Sequence, residues 1–155
     1  MAAQTVAPDI ASLEALVGKE LGASGWLEIT QERVDAFAEA TGDRQWIHVD
    51  PERARRESPF GGTIAHGHLT LSLAPTLFAE ILEVQGVGFM VNPGVERMRL
   101  RAPVRVGSRV RMRANLTHFR ALRGGGARVT IRLHFEVEGE KRPVAFGDCF
   151  VVYYP

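Results

Sequence analysis

Two residues able to exchange protons, Asp43 and His48, lie close together in the sequence, and His66-Gly67-His68 precedes a long apolar run. A carboxylate and an imidazole can serve as the acid and base of a proton transfer, and an imidazole exchanges protons near neutral pH. When glycine opens a helix, the first backbone N–H groups have no helical partner and can stabilise a negative charge that develops beside them. Together these groups are suited to moving a proton while holding an oxyanion.

The residues around Asp43 predict a helix followed by a turn. Apolar residues keep a helical spacing over residues 34–41, after Thr30, which is a favourable N-cap residue. Gly42 is of the type that ends helices in the left-handed conformation. Asp43 is therefore expected just beyond the end of a helix.

A second short helix is predicted over residues 51–57, because Asp50 is a good N-cap and Pro51 suits the first helical position. Ser58-Pro59 and Gly61-Gly62 should end it. This arrangement leaves His48 in the connection between two helices.

An apolar helix of about 15 residues is predicted to begin near Gly67 and to run to Leu82. Pro75 falls inside it and removes a backbone hydrogen bond, so a kink or break is expected there. Near the N-terminus, residues 12–19 also show a helical spacing, and residues 1–25 are interpreted as a helical extension of a single domain spanning residues 1–155.

After Gly86 the chain alternates apolar and polar residues, which predicts antiparallel β-hairpins. Turn signals separate the strands at Asn92-Pro93-Gly94, Gly107-Ser108, Gly124-Gly125-Gly126 and Gly139-Glu140. Helices followed by strands indicate the α+β class. A twisted antiparallel sheet curved around one long apolar helix is the architecture we expect.

Composition restricts the function. The chain has 155 residues with 19 Lys+Arg against 18 Asp+Glu, a formal net charge of +1, which argues against nucleic acid as a partner. Its single cysteine, Cys149, excludes an internal disulfide and fits a reducing cytoplasm. Acidic residues in the first 20 positions disfavour a secretory signal, and the longest apolar segment falls short of the roughly 20 residues needed to cross a membrane.

The motif resembles that of the MaoC-like dehydratases and (R)-specific enoyl-CoA hydratases, which have the hot-dog fold. Their signature combines an aromatic residue, a small residue with Gly-Asp, an aliphatic residue with His, and a later His-Gly; here these are Phe37, Thr41-Gly42-Asp43, Ile47-His48 and His66-Gly67. One departure is Gln45-Trp46, which replaces the family's Asn-Pro and resembles a NodN-like subgroup.

The resemblance implies that Asp43 and His48 hold the reacting water as acid and base, in an order left open. It also implies that the Gly67 N–H faces the thioester oxygen, with Gln45 and His66 near the substrate. The implied substrate is an acyl-CoA or acyl-carrier-protein thioester of fatty acid metabolism, bound by a homodimer without metal or redox cofactor. A hot-dog thioesterase and a non-catalytic NodN-like binder of acyl thioesters remain the alternatives.

Other residues are open to two interpretations. His66 and His68 are interpreted mainly as structural, Trp46 as packing against the core or a partner, and Cys149 as an unreactive buried thiol. A set of arginines with alternating spacing predicts the solvent face of adjacent strands, with phosphate binding as the alternative; its members are Arg97, Arg99, Arg101, Arg105, Arg109, Arg111 and Arg113.

Overall fold

Helices fill the middle of the chain and long strands fill its C-terminal part, which confirms the α+β class in this computed structural model of residues 4–155. The strands are β1 (Thr5–Ala7), β2 (Glu20–Ala23), β3 (Leu27–Glu28), β4 (Leu82–Val84), β5 (Phe89–Leu100), β6 (Arg109–Ala121), β7 (Ala127–Val137) and β8 (Ala145–Tyr154). The helices are α1 (Gln31–Thr41), α2 (Trp46–Val49), α3 (Pro51–Glu57), α4 (Gly67–Ser72) and α5 (Ala74–Ala79).

The sheet runs in the order β2-β6-β7-β8-β5, with β3 paired to the start of β6, and its neighbouring strands are antiparallel. Burial alternates along β6 and β7, so every second side chain points to the core. Leu77 and Ile81 from the helical side meet Met112 and Phe135 from the sheet in that core, and all four are fully buried. The sheet therefore encloses the helices on its inner face.

The expected helical extension over residues 1–25 is only in part helical among the described residues, where a 3-10 helix overlaps the spacing noted over residues 12–19. This segment contains β1, β2 and a short 3-10 helix at Ala11–Leu16, while residues 1–3 lie outside the described range. β1 pairs in parallel with β4, and β2 pairs with β6. These partners lie far away in the sequence, so local spacing did not reveal the strands.

The long helix predicted from Gly67 is broken, as Pro75 led us to expect. α4 ends at Ser72, Leu73 intervenes, and Pro75 occupies the first turn of α5, where its missing N–H costs no helical hydrogen bond. The helical region also ends earlier than predicted, because Leu82 already belongs to β4. Within the described residues, no helix is long and apolar enough to cross a membrane.

The turn predicted at Asn92-Pro93-Gly94 is wrong, because β5 continues through it. The pairing of β5 with β8 shifts register between Val91 and Gly94, so the proline is absorbed as an irregularity of an edge strand. A second shift lies between Glu96 and Arg99. The predicted turn at Gly124-Gly125-Gly126 is confirmed, with Gly124 at φ 80° between β6 and β7.

The arginines predicted to lie on adjacent strands do not do so. β5, which carries Arg97 and Arg99, is separated from β6 by β7 and β8. The three arginines of this set that lie on β6 form ion pairs with glutamates: Arg109 with Glu138, Arg111 with Glu136, and Arg113 with Glu20. The sequence pattern therefore divides into two separate groups on the molecule.

Candidate active site

Asp43 lies directly after α1, as predicted. Gly42 ends that helix at φ 78°, and its N–H donates to the carbonyl of Ala38 at 2.8 Å. This left-handed cap turns the chain sharply, so the Asp43 side chain is exposed at the entrance of a cavity.

His48 lies in the connection between α1 and α3, as expected; the chain forms the one-turn helix α2 there, and His48 is buried. Its Nδ1 is 2.7 Å from the carbonyl oxygen of Ile64, and since a carbonyl only accepts, Nδ1 carries a hydrogen and donates it. The neutral ring therefore has its lone pair on Nε2. That nitrogen is the one available to accept a proton.

Two polar side chains that sequence reasoning missed hold the backbone of His48. The amide of Gln31 donates to the His48 carbonyl oxygen at 2.7 Å, and the hydroxyl of Thr63 donates to the Gln31 side-chain oxygen at 2.7 Å. These contacts join α1, α2 and the segment after α3. No signal in the sequence predicts them, because each depends on how separate segments meet.

His66 connects the acid to the imidazole. Its Nε2 donates to the Asp43 carbonyl oxygen at 2.9 Å, and its ring stacks on that of His48 with centroids 3.8 Å apart. The Phe37 ring also lies against His66, with their ring centroids 5.0 Å apart. The His66 Nδ1 is buried and has no hydrogen-bond partner among residues 4–155. Because Nε2 carries the hydrogen of the neutral ring, this Nδ1 is a hydrogen-bond acceptor inside the site.

The three polar side chains form a close cluster. One ring nitrogen from each of His48 and His66 and one carboxylate oxygen of Asp43 lie within 4.8 Å of one another. Such a donor set suits a single water molecule and also suits a divalent cation. The sequence led us to expect no metal, and treatment with a chelator distinguishes a bound water molecule from a bound cation.

Gly67 is the first residue of α4, and its backbone N–H has no partner within that helix. A Cβ at this position would collide with the side chain of Leu100, which reaches across from β5. The glycine therefore permits a close approach between the helix start and the edge strand.

Two cavities meet at His48 and Gly67. The acid-side cavity measures about 460 Å³ and is lined by Phe37, Thr41, Asp43, His48, His66, Gly67, His68 and Ser72. The strand-side cavity measures about 280 Å³ and is lined by His48, Ile64, Ala65, Gly67, Thr70, Leu100, Arg101, Ala102, Pro103, Val104, Val144 and Ala145. An extended ligand can thus reach the imidazole from two sides.

The other candidates occupy different places. Gln45 is exposed and lines neither of these cavities, while its backbone carbonyl accepts from the His48 N–H at 2.9 Å. Trp46 is half-buried, with the Arg53 guanidinium 4.5 Å from its ring centre. His68 is exposed, yet it lines the acid-side cavity. Gln45 therefore contacts His48 through its backbone.

Cys149 is buried, as expected. Burial raises the pKa of its thiol, and a hydrogen bond from the Asn92 amide at 3.1 Å opposes that effect only in part. A thiol with a raised pKa stays protonated at neutral pH and is a poor nucleophile. The burial predicted for Cys149 is confirmed, and its lack of reactivity stays a prediction.

Comparisons with known proteins agree with this geometry. Residues 12–138 match the family model described as a MaoC like domain. The chain is 46% identical to 3-hydroxyacyl-thioester dehydratase Z of Mycobacterium tuberculosis over 93% of this chain and 95% of that protein. It is 45% identical to nodulation protein N of Rhizobium leguminosarum over 92% of this chain and 89% of that protein.

The fold also has solved counterparts. An (R)-hydratase from A. caviae superposes with a TM-score of 0.71 at 25% identity, over 90% of this chain and 96% of that one. Fold and site together define a hot-dog protein of the hydro-lyase class, which adds or removes water. With the family model covering most of its length, the chain belongs to the MaoC-like dehydratase family.

Proposed function

We propose that this protein catalyses the reversible addition of water to a 2-enoyl thioester, giving the (R)-3-hydroxyacyl thioester. The observation that carries the proposal is the Asp43–His48–His66 cluster, which borders a cavity shared with Gly67. The relatives named as a 3-hydroxyacyl-thioester dehydratase and an (R)-hydratase support the same reaction.

Asp43 and His48 supply the acid and the base. Because the His48 Nδ1–H is committed to Ile64, only Nε2 is free to exchange a proton. One member of the pair takes a proton from water while the other delivers a proton to the α-carbon, and the reaction balances with the two roles in either order.

The thioester oxygen gains negative charge as hydroxide adds to the β-carbon. We infer that it faces the Gly67 N–H at the start of α4, where unpaired backbone donors favour a developing enolate. Leu100 of β5 lies against Gly67 at this position. Addition at the β-carbon and protonation at the α-carbon then return the oxygen to a neutral carbonyl.

Hydration can be tested directly with 2-enoyl-CoA substrates of short and medium chain length, by following loss of the conjugated enoyl absorbance. We expect Asp43→Asn and His48→Gln each to lower kcat by about 10²–10⁴-fold, the usual contribution of a general acid or base. His118→Gln is the matched control, because His118 is exposed on β6, away from both site cavities. Its rate should equal that of the wild type.

Parallel measurements separate the alternatives. Free thiol is measured in the same reaction, and release of thiol without hydration assigns a thioesterase. Ligand binding without turnover assigns a non-catalytic binder, an outcome relevant to the likeness to nodulation protein N. If the wild type is active and either variant keeps the full rate, the proposed pair is wrong.

Treatment with EDTA should leave the rate unchanged, and a loss that Zn²⁺ or Mg²⁺ restores would assign the cluster to a metal.

We also propose that the working unit is a cytoplasmic homodimer. The single buried cysteine fits a reducing compartment. β5 lies at one edge of the sheet and exposes several large apolar side chains, namely Phe89, Met90, Val91, Val95 and Leu100. A long apolar edge strand is typical of surfaces that a second chain covers.

A further inference from the structure

The arginines near the site differ in whether a carboxylate neutralises them. Arg97 pairs with Asp148, and Arg109, Arg111 and Arg113 of β6 pair with glutamates. Arg101 and Arg105, which follow β5, have no ion pair within residues 4–155. Both side chains are exposed, so two cations remain available to an anionic ligand.

Arg101 borders the catalytic centre. It lines the strand-side cavity together with His48 and Gly67, and its backbone N–H is fixed by a hydrogen bond to the Val144 carbonyl at 2.7 Å. Its guanidinium lies 5.9 Å from the centre of the Phe146 ring, near the limit of a cation–π contact. Within this cavity His48 is buried whereas Arg101 is exposed, so the positive charge lies on the solvent side.

Arg105 lines a neighbouring cavity of about 280 Å³ that shares Ala102, Pro103 and Val144 with the first. Its Nη2 donates to the Gly61 carbonyl oxygen at 3.2 Å. A Cβ on Gly61 would lie 3.3 Å from that Nη2, so the glycine leaves room for the guanidinium. One carboxylate, that of the exposed Glu140, also lines this second cavity.

We propose that Arg101 and Arg105 bind phosphate of the phosphopantetheine arm that carries the acyl thioester. This inference rests on the proposed function. An arm with its thioester at His48 and Gly67 passes between the apolar walls that the two cavities share and brings its phosphate to the arginines. Guanidinium groups suit phosphate because they offer paired donors and permanent charge. Both coenzyme A and a carrier protein present this chemistry.

Three thioesters of one acyl group test the proposal: 2-hexenoyl-CoA, 2-hexenoyl-4′-phosphopantetheine and 2-hexenoyl-pantetheine, which lacks phosphate. For Arg101→Gln we expect kcat/KM to fall about tenfold, mainly through KM, with a phosphorylated substrate, and to stay unchanged with the pantetheine thioester. Arg105→Gln should act in the same direction. Equal losses on both phosphorylated substrates support binding of the phosphate common to coenzyme A and carrier proteins. A loss on the CoA thioester alone would assign the arginines to phosphates of the nucleotide part and would overturn the proposal.

Arg99→Gln is the charge-matched control, because Arg99 is exposed on β5, two residues before Arg101, and lines neither cavity. A tenfold loss in this variant, or equal losses on all three substrates in Arg101→Gln, overturns the inference. A wild type that hydrates none of the thioesters overturns the proposed reaction instead. Calorimetric titration of coenzyme A alone then tests the arginines separately, since Arg101→Gln must weaken its binding and Arg99→Gln must not.

Discussion

At the residue scale, backbone carbonyls determine what each imidazole can do. His48 donates through Nδ1 to Ile64, whereas His66 donates through Nε2 to Asp43. His48 is thereby left with a free nitrogen for proton transfer. His66 also keeps one nitrogen without a protein partner among residues 4–155, its buried Nδ1, but its Nε2 holds the main chain of the acid, so we propose that it acts as a positioning residue.

This assignment predicts different effects for two replacements of His66. The side-chain amide of glutamine reaches about as far as Nε2 and can keep the hydrogen bond to the Asp43 carbonyl, while that of asparagine is too short. We expect His66→Gln to keep most of the hydration rate. His66→Asn should lose about 10²-fold in kcat with little change in KM, because a small displacement of a catalytic group is costly.

The comparison is made by steady-state kinetics on one 2-enoyl thioester, with thermal melting to verify that both variants are folded. Equal rates for the two variants would contradict the positioning role. A change confined to KM would instead assign His66 to substrate binding.

Some site residues could be predicted from sequence and others could not. Asp43, His48 and Gly67 belong to a short motif with helix-end signals around it, and the structure brings them around connected cavities. Gln31 and Thr63 were missed because they act on His48 only after α1 and the segment before α4 meet. Local patterns carry no information about such contacts.

At the element scale, the same distinction between local and distant signals explains which helices and strands could be predicted. The end of α1 at Gly42 and the start of α3 after Asp50 were correct because capping depends on neighbouring residues. β1 and β2 were missed because their partners, β4 and β6, are distant. The supposed turn at Asn92-Pro93-Gly94 failed because an edge strand tolerates proline.

A buried carboxylate fixes β5 to the rest of the sheet. Asp148 on β8 is 1% exposed and accepts hydrogen bonds from Arg132 at 2.5 and 3.0 Å and from Arg97 at 2.6 Å. Arg97 adopts φ 53°, next to the second register shift of β5. The ion pair therefore holds the irregular part of the strand that leads to Leu100 and Arg101.

Stability should depend on pH through this carboxylate. Hydrogen bonds from Arg132 and then from Arg97 keep the pKa of Asp148 below its usual range, although burial opposes them. A lowered folded-state pKa stabilises the protein above the unfolded value of about 3.9, and this contribution is lost as the pH falls towards the folded value. Asp148→Asn is expected to lower the free energy of unfolding by about 1–3 kcal/mol at pH 7.

Urea denaturation of the wild type and Asp148→Asn at pH 7, 5, 4 and 3 measures this effect. The difference in unfolding free energy should be similar at pH 7 and 5 and should shrink below about pH 4. A difference that stays constant down to pH 3 would mean that the charge of Asp148 does not stabilise the fold.

At the scale of the whole molecule, the edge strand is the surface that a second copy would cover. Leu100 on this strand lies against Gly67, so an interface along β5 would lie beside the strand-side cavity. Dimer formation and a closed site would then be linked.

Two valines with nearly equal exposure allow a controlled test of this interface. Val95 on β5 is 54% exposed and Val6 on β1, outside the main sheet, is 53% exposed. We expect Val95→Lys to convert the dimer into monomers, because a buried unpaired charge is costly, and Val6→Lys to leave the dimer intact. Sedimentation equilibrium measures the mass of each variant. A monomeric wild type, or a dimer that Val6→Lys disrupts and Val95→Lys does not, would exclude β5 as the interface.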